Sequence, residues 1–376
     1  MEKAFVYGVS VENENFTDRV KETKRLKLNF TNGLNTILIS PRRMGKTSLV
    51  KKVIDTLDNP EIKIVYMDAY DCRSEYDFYN KFAASVIKQT SSKVDQWLEN
   101  AKEFLVRVSP KISFSPDPTM DYSVAFGITP ETHRPEEILS LPELIATKMN
   151  IHIVVCIDEF QQIGEFPESL EVQKRLRSVW QHQKYTSYCL FGSKKHLMTK
   201  LFQSSRMPFY QFGEMMYLDR ISTEDWIPYI QSRFRSRNKE ISEEWCIEIC
   251  RLTDNYSSYV QQLAWNVLAE TDKSVSEEEF TAAKEVMLAQ CDALFIQQIQ
   301  GLTSYQMNLL RAICNGVNNE FMSKRVMDTY NLGTKSNFTR IKNTLIEKEL
   351  IEERKDGLYL SDPIFRIWFN SNYNDL

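Results

Sequence analysis

An apolar run, Ile37-Leu38-Ile39, leads into Ser40-Pro41-Arg42-Arg43-Met44-Gly45-Lys46-Thr47-Ser48 and then into Leu49-Val50-Lys51-Lys52-Val53-Ile54. A strand, a turn and a helix therefore meet around a Gly-Lys-Thr triplet, which is the pattern of a phosphate-binding loop. The chemistry asks for these residue types at this spacing. A helix N-terminus presents unpaired backbone N–H groups and the positive end of its dipole to an anion. Gly45 lets the backbone curl around phosphates, Lys46 sets a cation against the β/γ oxygens, and Thr47 offers a hydroxyl to Mg²⁺. Ser40 stands where the pattern has its first glycine, and whether its backbone angles suit a side chain is open at this point. The plain alternative is an ordinary basic strand-to-helix turn, but the strand and helix context on both sides favours the loop.

A magnesium-nucleotide site needs a second anchor, an acid at the end of a buried strand, because Mg²⁺ is held by few carboxylates plus the phosphates. Asp68 and Asp158 compete. Asp158 ends the more apolar strand, Ile151-His152-Ile153-Val154-Val155-Cys156-Ile157, and is followed at once by Glu159, which is able to polarise an attacking water. Asp158 is thus the expected Mg²⁺ ligand and Glu159 the expected general base, against the plainer reading of a solvated acidic turn. Ser193, at the tip of the next strand, is a candidate for holding the attacking water or the γ-phosphate, although serines end many strands for purely local reasons. Arg42 and Arg43 flank the loop backbone as candidate nucleotide or partner contacts; solvated loop arginines are the alternative.

Strands and helices alternate after the loop: Glu61–Asp68, a helix from about Glu75 to Gln89, a helix from roughly Pro135 to Met149, the Ile151–Ile157 strand, a strand at Ser187–Ser193 and another near Met215–Leu218. Such alternation predicts a mostly parallel sheet with helices on both faces. Phe16, Arg19, Glu22 and Leu26 fall at helical spacing before it. Between about 91 and 135 the pattern loosens around Ser115-Pro116-Asp117-Pro118, and a hairpin insertion is expected there. Past Ile221 the pattern becomes amphipathic helices, with Ser222, Ser242 and Ser276 each preceding acids as helix N-caps do. From Leu302 three helices and a small hairpin, Leu350–Leu360, spell a winged helix. The expected domains are a core at 1–220, a helical lid at 221–298 and a winged helix at 299–376.

Composition narrows the class. A net charge of -4 excludes a chain that binds nucleic acid through its bulk charge, while leaving room for a local basic face. The seven cysteines include no Cys-x-x-Cys pair, and the four histidines, His133, His152, His182 and His196, lie far apart, so neither zinc nor a disulfide framework is expected. Scattered free thiols in apolar runs fit a reducing cytoplasm. No apolar run approaches the roughly 20 residues of a membrane span.

Taken together, Phe16-x-x-Arg19-x-x-Glu22, Pro41–Leu49, Ile157-Asp158-Glu159-Phe160-Gln161, Phe191-Gly192-Ser193 and the tail Leu360-Ser361-Asp362-Pro363-Ile364-Phe365-Arg366-Ile367-Trp368-Phe369 resemble the archaeal-type P-loop ATPases. These belong to the AAA+-like and signal-transduction (STAND) group and also occur in bacteria. The resemblance implies an α/β fold with an ASCE-type parallel-sheet core, a helical lid and a winged helix, with ATP and Mg²⁺ as ligands. Three features depart from the pattern. Ser40 replaces a glycine; Phe212-Gly213-Glu214-Met215 lacks the Gly-Arg of many relatives, leaving Arg206 or Arg220 as substitute finger arginines; and Tyr256-Ser257-Ser258-Tyr259 replaces the lid's Gly-x-Pro.

The expectation is an ATP-binding switch that hydrolyses ATP slowly or under partner stimulation, with ATP and ADP as ligands and no membrane partner. In the winged helix, Lys335, Asn337, Arg340, Lys342 and Asn343 lie off the Phe338-Ile341-Leu345 core stripe, a modest basic surface flanked by Glu347, Glu349, Glu352 and Glu353. It suits DNA or a protein partner, and self-association is equally open. A DNA-binding regulator that only senses nucleotide, and a P-loop scaffold impaired by Ser40, are the competing functions.

Overall fold

In a computed structural model of the chain, residues 3–11, 15–90 and 135–373 are described. They form two compact units, one running Ser10–Asp219 and the other joining Met1–Val9 to Arg220–Leu376. The hairpin expected between 91 and 135 lies outside the described residues.

In the first unit the strands are β1 (Thr36–Ile39), β2 (Ile62–Asp68), β3 (His152–Asp158), β4 (Thr186–Gly192) and β5 (Glu214–Tyr217), in spatial order β2-β3-β4-β1-β5. Every pairing is parallel. Strands joined through crossovers are buried on both faces and read as continuous apolar runs, and every residue of β1 and β4 is buried. The helices are α1 (Val20–Thr31), α2 (Lys46–Thr56), α3 (Glu75–Thr90), α4 (Pro135–Leu139), α5 (Leu141–Met149), α6 (Ser169–Trp180) and α7 (Lys195–Gln203). Register aligns Asp68 with Asp158, and Ile39 with Gly192 and Tyr217, so the loop after β1, the acids ending β3 and the residue after β4 share the C-terminal edge of the sheet. Ligands of open α/β sheets bind at that edge.

The structure departs from expectation in three places. The first helix begins at Val20, because Arg19 takes left-handed angles (φ 63°) and Phe16 precedes it. The strand that the sequence places at Leu34–Ile39 starts two residues late, at Thr36, because Leu34 N–H donates to Asn29 O in the turn closing α1. The 135–149 helix breaks at Ser140: Pro142, in the first turn of α5, has no N–H to continue the ladder from Ile138. A 3₁₀ turn, Phe160–Glu165, also follows β3 directly. It is pinned from below, since Phe160 and Ile163 are fully buried and Phe160 meets Phe209 edge-on at 5.4 Å in the aromatic core around Trp180 and Tyr188.

In the second unit, α8 (Thr223–Arg235), α9 (Glu243–Leu252), α10 (Ser257–Glu270) and α11 (Glu277–Ile299) form the helical part. Ser222, Ser242 and Ser276 cap three of these helices through their hydroxyls, and Ser276 forms a full capping box with Glu279. The N-terminal segment packs on this unit, with Val6 N–H donating to Gln261 Oε1 at 2.9 Å and Phe5 set edge-on against Tyr229 and Phe234. Then come α12 (Ser304–Cys314), α13 (Lys324–Thr329), α14 (Lys335–Glu347), the antiparallel hairpin β6 (Ile351–Arg354) and β7 (Gly357–Leu360), and α15 (Pro363–Tyr373). Phe338, Ile341 and Leu345 are buried, as the stripe predicts. The Tyr256 hydroxyl donates to Ser361 O at 3.1 Å and that of Tyr259 to the Asp362 carboxylate, tying α10 to the start of α15.

Candidate functional site

The loop after β1 takes its left-handed angles at Arg43 (φ 68°) and Gly45 (φ 85°); among the described residues Ser40 is not one of those with positive φ. The position where a glycine was expected therefore needs none, and the hinge of the loop is Gly45, the N-cap of α2. Lys46 opens α2 and is buried. Its Nζ donates to Ser40 O and Pro41 O, each at 3.0 Å, and to Ser40 Oγ at 3.3 Å. Burial pushes the Lys46 ammonium down to about 8; Glu159 and Asp158 pull it back up and Arg42 pushes it further down. Arg42 and Arg43 are exposed on the loop, Met44 is buried, and Ser48 Oγ accepts Val11 N–H at 2.8 Å.

Arg19 reaches this loop from the chain before α1. It is 3% exposed, and its guanidinium donates to Met44 O at 3.2 Å, to Glu22 Oε1 at 3.1 Å and to Asp219 O. In the sequence, Arg19 carries no role beyond its place in the Phe16-x-x-Arg19-x-x-Glu22 pattern.

Asp158 is 5% exposed at the end of β3. Its Oδ2 accepts the Thr47 hydroxyl at 2.7 Å and the Tyr66 hydroxyl at 2.9 Å, while Oδ1 accepts Glu159 N–H at 2.9 Å. Burial raises the Asp158 carboxyl above the usual range; the Thr47 and Tyr66 hydrogen bonds lower it, and the nearby Glu159 and Asp68 charges raise it. Tyr66 is a site neighbour that sequence reasoning missed. Its signal was its register opposite Cys156, two residues short of Asp158, which only the sheet pairing reveals. Asp68, the rival acid, is exposed at the end of edge strand β2, with β3 and β4 between it and β1, and accepts Tyr70 N–H.

Glu159 sits in left-handed angles (φ 50°, ψ 38°) as the N-cap of the 3₁₀ turn. Such angles cost a non-glycine residue of order 1–3 kcal/mol and persist where surrounding structure enforces them. Its Oε2 accepts the Ser193 hydroxyl at 2.9 Å and also the Gln161 side-chain amide. Thr47, Asp158, Glu159 and Ser193 thus converge beside the loop. Arg220, in the other unit, pairs with Asp254 at 2.7 Å and lies over the Tyr256 ring, and Arg206 is exposed in the loop before β5.

The Thr47–Asp158 pair offers two hard oxygens at the mouth of a phosphate loop, a donor set that suits Mg²⁺ arriving with a nucleotide. Among the described residues no group of three or more His, Cys, Asp or Glu side chains forms a metal site. In the winged helix, Arg340 is bonded to Asn337 at 3.1 Å and Lys342 to Glu353 at 3.0 Å, which leaves Lys335, Arg340 and Asn343 exposed on α14. No helix among the described residues is long and apolar enough to cross a membrane.

The sequence profile described as "ATPase domain predominantly from Archaea" matches residues 16–224, and that described as "Probable winged helix domain" matches residues 293–371. No curated protein matches. A Walker-type ATPase of Pyrococcus abyssi is similar in structure, with TM-score 0.71 and 15% identity over 98% of this chain and 100% of that one. The Aeropyrum pernix ORC2 protein, solved as ADPNP–ADP complexes, gives 0.55 and 16% over 94% and 93%. The Aeropyrum pernix ORC1 protein in complex with DNA gives 0.50 and 10% over 96% and 94%. At these identities the likeness is one of fold.

Proposed function

The chain belongs to the family of ATPase domains found predominantly in Archaea, and on that premise we propose that it is a Mg²⁺-dependent ATPase whose nucleotide state sets the placement of its winged helix. The observation that carries this reading is the 2.7 Å hydrogen bond from Thr47 to Asp158, with Glu159 next in the chain and held by Ser193. It brings a loop hydroxyl, a strand-end acid and a second carboxylate to one edge, as hydrolysis of a bound triphosphate requires.

The loop from Ser40 to Ser48 wraps the phosphates with backbone N–H groups and the α2 dipole. Lys46 leaves the Ser40 and Pro41 carbonyls for the β/γ oxygens, exchanging neutral acceptors for charged ones. Thr47 and Asp158 would hold Mg²⁺, which would supply neutralisation of the charge developing on the phosphoryl oxygens. Glu159 orients a water and takes its proton, and Ser193 fixes the Glu159 carboxylate and the γ-phosphate side of the site. The helical part, residues 221–298, acts as a lid, and residues 299–376 as the element displaced. Calorimetric titration of the full chain with ATP and Mg²⁺ tests this: saturable binding is expected for the native protein and its loss in Lys46→Ala. Equal binding by both would end the proposal.

The exposed Lys335, Arg340 and Asn343 of α14 favour double-stranded DNA as what the winged helix meets, contacted through phosphates and base edges. The DNA-bound form of the Aeropyrum pernix ORC1 protein is in keeping with this.

A further inference from the structure

Gln161 is 2% exposed, yet only half of its amide is used. Nε2 donates to Glu159 Oε2, and among the described residues Oε1 has no hydrogen-bond partner. The orientation follows from the partner, since only the nitrogen end can donate to a carboxylate. A buried polar atom without a partner is costly and calls for an explanation. An apolar side chain of similar size would fill the space without that cost, so what the position keeps is the donor aimed at Glu159.

The space itself is reserved from the neighbouring strand. A Cβ placed on Gly192 would lie 1.7 Å from Gln161 Oε1 and 2.9 Å from its Cδ. Gly192 has no positive φ to account for glycine, and it is the last residue of β4, immediately before Ser193. The absent side chain makes room for the Gln161 amide. Phe160 and Ile163, both fully buried, fix the turn that carries Gln161. Both hydrogen bonds that the Glu159 side chain accepts among the described residues fall on Oε2, one from Gln161 and one from Ser193 at 2.9 Å. Oε2 is anchored twice, which leaves Oε1 without a hydrogen bond among the described residues.

We propose that Gln161 is a positioning residue for Glu159, held in a slot that Gly192 keeps open, so that the Glu159 carboxylate presents one defined oxygen to the attacking water. This rests on the reading of Glu159 as the general base. The two therefore need separate controls.

The test uses full-length protein carrying Gln161→Ala, Gly192→Ala, the pair together, and Glu159→Gln alone and combined with Gln161→Ala. ATP turnover at saturating nucleotide, nucleotide affinity, thermal unfolding, and capture of ADP with aluminium fluoride are measured for each. Gln161→Ala and Gly192→Ala are each expected to lower kcat by about 10- to 100-fold and to weaken aluminium fluoride capture, with affinity changed less than about twofold. The double variant is expected to lose no more than the worse single one, because both act on one contact. In the Glu159→Gln background, Gln161→Ala is expected to change kcat by less than about twofold.

Native turnover and capture in Gln161→Ala would overturn the proposal while leaving the base in place. A kcat loss that persists undiminished in the Glu159→Gln background would also overturn it, by showing that Gln161 acts elsewhere. Native turnover in Glu159→Gln would remove the base itself, and the proposal with it. If Gly192→Ala fails to fold, the Gln161→Ala and Glu159→Gln cycle decides alone.

Discussion

At Lys46 two demands conflict: the loop buries the ammonium so that it will meet phosphate, and burial makes the charge harder to keep. Burial pushes the Lys46 ammonium down to about 8 in the folded chain, from an ordinary value of about 10.5 in the unfolded one. Between those values the unfolded chain binds more protons, so the nucleotide-free core gains stability as pH rises, whereas nucleotide must bring the proton back in order to bind. ATP affinity is therefore expected to be flat below pH 8 and to fall by up to about tenfold per unit above it, with proton uptake on binding. Calorimetry at pH 7, 8 and 9 in two buffers of different ionisation enthalpy checks both. Ser40 yields a second outcome at this scale. Its backbone lies outside the left-handed region, so Ser40→Gly should leave ATP turnover within about twofold, and a large gain would revive the impaired-scaffold reading. The loop was legible because its chemistry is local, a short stretch of backbone around one helix dipole. Tyr66, Arg19 and Gln161 were not, since their meaning depends on which strands lie side by side or on a left-handed turn that no periodicity records.

At the scale of elements, the 3₁₀ turn after β3 joins packing to chemistry. Phe160 meets Phe202, Phe209 and Trp180 on the core side, and the flanking Glu159 and Gln161 face the site. Phe160→Ala is expected to cost about 3–5 kcal/mol in the unfolding transition of the first unit. It should also lower kcat more than it weakens nucleotide binding, because the α2 loop does not hang on that ring. Chemical denaturation followed through the unit's own transition, alongside turnover, separates the two effects. The strands β1 to β4 and the winged-helix elements were readable from apolar runs, N-caps and turn residues. The split of the 135–149 helix required weighing Pro142 against an otherwise helical pattern, and the late start of α1 depended on tertiary bonds made by Arg19.

At the scale of the whole molecule, a net charge of -4 is set against a small cationic face on α14. The Lys342–Glu353 pair neutralises part of that face and Arg354 on β6 is paired with Glu352, so DNA binding there is expected to be weak, salt-sensitive and of modest slope. A gel shift of duplex DNA at low salt should appear and should weaken in Arg340→Ala, with the salt slope reduced by about one if that guanidinium neutralises a single phosphate. No shift at low salt would leave a protein as the partner of the winged helix. The order of sheet, helical part and winged helix was legible because each has its own periodicity; the joining of the first nine residues to the second unit was not, since short segments carry no period.

If the first unit binds ATP through its loop and hydrolyses it through Glu159, single-turnover hydrolysis in Glu159→Gln is the most direct measurement of both. ATP affinity is expected to stay within about twofold of native while the rate falls at least about 100-fold. A Glu159→Gln protein that hydrolyses bound ATP at the native rate would contradict that assignment.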